Sequence, residues 1–116
     1  MGYSCKVVEQ KVGEKSRTIT AYGYFDGDKK IAHCSMRLKT RGDDMGTYTL
    51  QNVSIIPEYR GKGLCTKFLE CVIKKYADKT VFLSVLTDNE PAVRCYTKLG
   101  FKEIDRGRST MWMRKN

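Results

Sequence analysis

A glycine-containing turn between a strand-like and a helix-like segment constrains this chain most. It lies in IIPEYRGKGLCTKFLECV, residues 55 to 72, where Gly61 and Gly63 flank a lysine. Apolar residues then recur at three- and four-residue spacings, which indicates one buried face of a helix; they are Leu64, Phe68, Leu69, Val72, Ile73 and Tyr76. The next segment, TVFLSVLT at 80 to 87, predicts a central strand covered on both faces. Strand, turn, helix and strand together predict a βαβ unit.

Four strands are predicted before this unit and two after it. Segments 3 to 12, 17 to 25, about 31 to 38 and about 47 to 55 are rich in β-branched and aromatic residues, with GEKS, FDGDKK and KTRGDDMG between them as turns. A second helix is expected to start at a cap on Asp88 or Asn89, with Pro91 in its first turn, and to end at Gly100. FKEID and STMWMRK predict the last two strands. The pattern indicates a mixed α/β (α+β) fold.

Length and composition predict one folded domain over residues 1 to 116, because 41% of the residues are hydrophobic and 30% are charged. We expect no association with membrane, since no stretch approaches the roughly 18 apolar residues of a membrane span and the amino terminus lacks a secretory signal. Five cysteines form an odd set without close paired spacing. This argues against a zinc site and a disulfide framework, and it favours a reducing, cytoplasmic location.

The turn itself has the properties of an anion site. Backbone N–H groups of about residues 61 to 65 are expected to point outward at the start of a helix, where the helix dipole favours negative charge. The spacing of the glycines excludes the P-loop and does not complete the dinucleotide fingerprint. The net charge of +9 fits a polyanionic nucleotide ligand, nucleic acid or a solvated lysine-rich surface, and charge alone does not separate these readings.

Two motifs together resemble the GNAT superfamily of acyl-CoA-dependent N-acyltransferases. Residues 60 to 65, RGKGLC, match Arg/Gln-x-x-Gly-x-Gly/Ala except at Cys65. About thirty residues later, NEPAVRCYTKLGF matches Asn-x-x-Ala-x-x-x-Tyr-x-x-x-Gly-Phe from Asn89 to Phe101. The resemblance implies a mostly antiparallel sheet that is splayed between its fourth and fifth strands. The short GEKS turn stands where most relatives insert two helices, so this helical insertion is expected to be missing.

The resemblance also implies roles for individual residues around acetyl-CoA. The backbone of Val53, Ser54 and Ile55 would hydrogen-bond the pantetheine arm, and Asn89 would help to orient the cofactor. Tyr96 would be the general acid that protonates the departing thiolate. The pyrophosphate would lie on the turn formed by Arg60, Gly61, Lys62, Gly63, Leu64 and Cys65. No metal and no covalent enzyme intermediate are implied.

The general base stays open. Many relatives carry a catalytic glutamate in the fourth strand, but no glutamate occurs between residues 47 and 55. His33, the only histidine, has a suitable titration range. The alternatives are Asp43 or Asp44 from a loop, a chain of waters, or no base at all.

The acceptor is expected to be a small amine, with a polyamine as the leading hypothesis. Asp26, Asp28, Asp43 and Asp44 fall in two predicted turns, and they would attract a polycation if the two turns formed one rim. A peptide lysine or a protein amino terminus are alternatives, as is a CoA-binding regulatory module without turnover. A nucleic-acid-binding domain is disfavoured, because the basic residues are scattered. The sequence leaves open whether the chain forms a homodimer.

Overall fold

Seven strands and two helices make up the described part of the chain. The computed structural model describes residues 2–12, 18–40, 42, 43 and 45–116. The strands are β1 (Tyr3–Val12), β2 (Thr18–Asp26), β3 (Lys29–Leu38), β4 (Tyr48–Ile55), β5 (Val81–Leu86), β6 (Lys102–Arg106) and β7 (Thr110–Lys115). The helices are α1 (Leu64–Ile73) and α2 (Glu90–Lys98), and short 3-10 turns occupy Pro57–Tyr59 and Lys74–Tyr76. All the predicted elements are therefore present, with boundaries that agree to within three residues.

The strands form one sheet in the order β1-β2-β3-β4-β5-β7-β6. Neighbouring strands are antiparallel except β4 and β5, which are parallel and are joined through α1. A parallel pair requires such a crossover connection, and a helix is its usual form. The prediction of a mixed, mostly antiparallel sheet with two main helices is confirmed.

Both helices pack against the same face of the sheet. Their buried residues, among them Phe68, Leu69 and Tyr96, form one core with inward-facing residues of the strands. On β5, Val81, Leu83 and Val85 are buried, whereas Ser84 and Leu86 are exposed. The prediction that β5 is covered on both faces is wrong, because no described helix lies on the opposite face, which we call the bare face.

The bare face carries both apolar and charged side chains. Leu86 is 56% exposed and Trp112 is 42% exposed. The Arg114 guanidinium lies 5.9 Å from the centre of the Phe82 ring. In the described residues no helix precedes β4, which agrees with the expected lack of a helical insertion. The predicted GEKS turn, residues 13 to 16, lies outside the described residues.

Four of the five cysteines are paired, so the prediction of no disulfide is wrong. Cys5 on β1 bonds to Cys71 on α1, and Cys65 on α1 bonds to Cys95 on α2. The partners are 66 and 30 residues apart, and such pairs meet only through the tertiary fold, which a search for close spacing does not detect. Cys34 is free and buried. The cysteine pattern therefore no longer supports a reducing compartment.

None of the described helices is long and apolar enough to span a membrane.

Candidate functional site

The sheet opens between β4 and β5. These strands pair only at Tyr48 with Val81 and at Thr49 with Phe82, although β4 continues to Ile55. Beyond Thr49 the edge of β4 that faces β5 therefore has no strand partner. Asn52 has a φ of 57° at an irregularity in the β3–β4 ladder, which is a left-handed conformation found in one class of β-bulge. This split is the feature that the sequence resemblance predicted.

A cleft of about 800 Å³ lies on the helix side of the split. Its walls are the end of β4, the glycine turn with the start of α1, and the side of α2. Nine of the predicted cofactor-binding residues line it: Val53, Ser54, Ile55, Arg60, Gly61, Gly63, Leu64, Cys65 and Asn89. The predicted catalytic residue Tyr96 also lines it. Segments up to 43 residues apart in sequence, from Val53 to Tyr96, thus meet around one cavity.

The glycine turn leaves space for a ligand close to the backbone. Gly61 and Gly63 have φ angles of 76° and 73°, and a Cβ atom on either would meet no atom within 4 Å. Gly63 is the N-cap of α1 and no side chain caps the helix. The free N–H groups of the first turn can therefore bind an anion, as helix N-termini commonly do. The Arg60 Nε–H donates to the Ile55 carbonyl at 2.9 Å and holds the turn against the end of β4.

The cleft is electropositive. Arg60, Arg94 and Lys98 line it, and none of the described lining residues is Asp or Glu. Sequence reasoning missed Arg94 and Lys98, although their spacing of four residues on a predicted helix places them on one side of it. Lys62 does not line the cleft; its Nζ lies 5.2 Å from the centre of the Tyr59 ring. The excess of positive charge suits a ligand with several phosphate groups.

Both ends of α2 are fixed as the sequence predicts. The Asn89 side chain is the N-cap, and its Oδ1 accepts a hydrogen bond from the Ala92 N–H at 3.4 Å. Gly100 ends the helix with a φ of 100°. The N–H of Phe101 donates to the Tyr96 carbonyl at 3.0 Å, which completes the helix-ending motif. These caps set the register of α2 and hence the position of Tyr96.

Tyr96 is a buried phenol at the cleft wall. It is 7% exposed, and its ring meets Phe101 edge-on with 6.1 Å between the ring centres. Burial raises the pKa of Tyr96, and the nearby Cys34 raises it further. The hydroxyl therefore keeps its proton at neutral pH and is chemically able to donate it to a developing anion.

The candidate bases are less favourably placed. His33 does not line the cleft; it pairs in the ladder with Ser54, which does. Burial and the nearby Lys30 lower the pKa of His33, while Glu9 partly opposes this effect. Its Nδ1 is buried without a hydrogen-bond partner. Asp43 is exposed in the β3–β4 loop, and Asp44 lies outside the described residues.

In the described residues the two acidic turns do not form one rim. Asp26 and Asp28 lie at the turn between β2 and β3, whereas Asp43 lies in the loop between β3 and β4. The ten residues of β3 separate the two turns, which places them at opposite ends of the sheet. In addition, Asp26 accepts a hydrogen bond of 2.7 Å from the Tyr59 hydroxyl.

The comparison with protein families agrees with this geometry. The model of the acetyltransferase (GNAT) family matches residues 6–101. The chain belongs to this family. A similar relative is an N-alpha-acetyltransferase of Saccharolobus solfataricus, which is 35% identical over 57 residues; the match covers 46% of this chain and 34% of the relative. A mycothiol acetyltransferase of Corynebacterium aurimucosum is 45% identical over 53 residues, with 42% and 17% covered. The matched part thus spans 34% of one relative and 17% of the other.

Solved GNAT structures share the fold over more of the chain. The ribosomal-protein-S18-alanine N-acetyltransferase of Escherichia coli superposes with a TM-score of 0.75 at 20% identity, covering 97% of this chain and 92% of that one. The PaiA N-acetyltransferase of Thermoplasma acidophilum, solved in complex with coenzyme A, superposes with a TM-score of 0.67 at 25% identity, covering 84% and 60%.

Proposed function

We propose that the chain is an acetyl-CoA-dependent N-acetyltransferase whose acceptor is the α-amino group of a peptide or protein. The observation that carries the transferase proposal is the electropositive cleft at the β4–β5 split, which joins an uncapped helix N-terminus to a buried tyrosine. Family membership supports it independently.

The residues of the cleft fit acetyl-CoA. The N–H groups of the turn after Arg60, with Arg60, Arg94 and Lys98, would hold its phosphates, and the open space over both glycines admits them. The unpaired edge of β4 from Val53 to Ile55 would hold the pantetheine arm. Bound in this way, the cofactor supplies an activated acetyl group as a thioester.

Tyr96 is assigned the role of general acid. Its raised pKa keeps the hydroxyl protonated, so that it can give its proton to the thiolate that leaves. We propose direct attack by the acceptor amine in a ternary complex. No described carboxylate lines the cleft, and we therefore assign the removal of the ammonium proton to water, with His33 beside Ser54 as the alternative.

The bare face supports an extended acceptor. Ser54 lines the cleft and pairs with His33. Because side chains alternate along a strand and paired residues share a face, we infer that both side chains lie on the face opposite Ala32 and Cys34. The split therefore leads from the cleft towards the bare face, where no described helix restricts the approach of a chain. The names of the Saccharolobus relative and of the E. coli structure point to amino-terminal acceptors. A small polyamine is the competing acceptor.

The test is release of CoA thiol from acetyl-CoA with three acceptor sets. One set contains peptides with a free α-amine, the second contains the same peptides blocked at the amino terminus with an internal lysine, and the third contains spermidine, spermine and putrescine. Tyr96→Phe is compared with Tyr24→Phe, which removes the hydroxyl of another buried tyrosine outside the cleft. We expect turnover with the free α-amines, and a loss of about 100-fold or more in kcat only in Tyr96→Phe, with unchanged affinity for CoA.

Each other outcome rejects a defined part of the proposal. Turnover with polyamines or internal lysine alone would reject the α-amine acceptor and keep the transferase. Binding of CoA without turnover on any amine would identify a regulatory CoA-binding module instead. Absence of CoA binding would reject the whole proposal, and saturable binding of a labelled DNA duplex at physiological salt would then favour a nucleic-acid-binding domain.

A further inference from the structure

The disulfide between Cys65 and Cys95 lies within the wall of the cleft. Cys65 is the second residue of α1 and follows the glycine turn, while Cys95 immediately precedes Tyr96 on α2. Both cysteines line the cleft, and their Cα atoms are 6.4 Å apart. The bond therefore joins the wall that carries the anion site to the wall that carries the proposed acid.

We propose that Cys65 and Cys95 form a thiol–disulfide exchange site that controls the affinity of the cleft for CoA, with the disulfide as the high-affinity form. The inference rests on the proposed function, because CoA is the ligand that reports it. The cleft of about 800 Å³ is formed with the disulfide in place. A bond between its walls fixes their separation before the ligand arrives, and preorganisation of this kind raises affinity because less motion is lost on binding.

Beside the disulfide, the two helices are held by shared core packing and by a side-chain hydrogen bond. The Thr66 hydroxyl donates to the Cys95 Sγ at 3.8 Å, which is a weak hydrogen bond to sulfur. After reduction, non-covalent packing alone sets the separation between the turn before α1 and the middle of α2. The distance between the backbone N–H groups after Gly63 and the Tyr96 hydroxyl would then no longer be fixed by a covalent bond.

The two sulfurs differ in access, which sets the order of the exchange steps. Cys65 is partly exposed in the first turn of α1, where the helix dipole favours thiolate. Cys95 is 5% exposed. The Cys65 thiolate attacks a low-molecular-weight disulfide such as oxidised glutathione, which forms a mixed disulfide and releases one thiol. The Cys95 thiolate then attacks the Cys65 sulfur and releases the second thiol. Two protein thiols are oxidised and one glutathione disulfide is reduced to two thiols.

The other disulfide provides a matched control. Cys5 and Cys71 do not line the cleft, and their bond fastens β1 to α1 at a distance from the split. Breaking it also removes a cross-link from α1, but it leaves the two walls of the cleft joined. If the Cys65–Cys95 bond controls the affinity for CoA, reduction should therefore still change that affinity in protein that lacks the Cys5–Cys71 bond.

The experiment measures the affinity for a CoA analogue that lacks the thiol, by calorimetry, before and after a phosphine reductant. The analogue cannot itself take part in exchange, and mass spectrometry counts the thiols. We expect reduction to weaken binding on the order of 5- to 10-fold, at the lower end of the usual coupling between two sites. Cys5→Ser/Cys71→Ser should respond in the same way. Cys65→Ser/Cys95→Ser should bind weakly under both conditions and show no response.

Three results would overturn the inference: unchanged or tighter binding by the fully reduced wild type, a response that persists in Cys65→Ser/Cys95→Ser, or a response that is lost in Cys5→Ser/Cys71→Ser. The first of these results compares the wild-type protein with itself and does not depend on whether a variant folds, and the two double variants assign the response to one of the two disulfides. Binding without a redox response rejects the switch and leaves the proposed function intact, whereas no binding under either condition rejects both. By linkage, saturating analogue should also shift the value of [GSH]²/[GSSG] at which Cys65 and Cys95 are half oxidised, by the same factor.

Discussion

Replacing Gly63 by alanine separates the conformational role of the glycine turn from its proposed role in binding. Gly63 has a φ of 73°, and a Cβ atom there would meet no atom within 4 Å. The substitution therefore causes no collision in the free protein. Its cost in stability comes only from holding an L-residue in the left-handed region, which is about 1–2 kcal/mol, reduced by the lower entropy of alanine in the unfolded chain.

The expected effect on binding is larger. The new methyl group occupies open space beside the first N–H groups of α1, at a residue that lines the cleft. A phosphate held there would lose at least one charge-assisted hydrogen bond, which is about 1.5–3 kcal/mol. This corresponds to a Kd for CoA that is about 10- to 150-fold higher. We expect the free energy of unfolding to fall by about 1 kcal/mol.

Gly46→Ala is the matched control. Gly46 has a φ of 92° and the same open surroundings, but it lies in the β3–β4 loop outside the cleft. Denaturant unfolding and calorimetry with CoA are measured for both variants. We expect similar losses of stability and a change in CoA affinity only in Gly63→Ala. Equal CoA affinity in the wild type and Gly63→Ala, after the expected loss of stability, would refute the argument that the turn holds phosphate.

Three further predictions concern stability and reactivity. Burial, together with the hydrogen bond of 2.7 Å between the Tyr22 and Tyr76 hydroxyls, raises the pKa of Tyr76. The stability that the neutral form of Tyr76 contributes is therefore present below about pH 10 and is lost as the pH rises further. Tyr76→Phe should flatten the fall in unfolding free energy above that pH, and an unchanged slope would contradict this. Burial raises the pKa of the Cys34 thiol to about 12, and we expect a thiol-alkylating reagent to modify it only in unfolded protein, as read by mass spectrometry; rapid alkylation of the native chain would show that the site is accessible. Asn89→Ala should lower the unfolding free energy by about 1 kcal/mol through loss of the α2 cap, whereas Asn89→Ser should retain most of it in the same denaturant titration.

The sequence predicted those features that depend on neighbouring residues. The start of α2 at Asn89 and its end at Gly100 follow from side-chain capping and left-handed glycine, and both are decided within one helical turn. The glycine turn before α1 is local in the same sense. The split between β4 and β5 was different, because it came from the family resemblance and not from periodicity.

Features that depend on distant residues were missed or mistaken. The two disulfides join residues 66 and 30 positions apart. The apolar run of β5 looked doubly covered, since Phe82 and Leu86 alternate with the buried Leu83 and Val85. Whether a second layer lies over a sheet is decided by other segments of the chain, and hydrophobicity of the strand alone does not reveal it.

In the proposed reaction, the bare face gives the acceptor a route to the split that is separate from that of the cofactor. The cleft is bounded by α1 and α2, so a cofactor held there approaches the split from the helix side. Ser54 lines the cleft and pairs with His33. Because paired residues share a face of the sheet, this edge of the cleft opens towards the bare face. An acceptor that arrives over the bare face therefore reaches the split without displacing the cofactor. Two substrates that enter from opposite faces can be bound at the same time, and this arrangement suits direct transfer because no enzyme side chain has to carry the acetyl group between them.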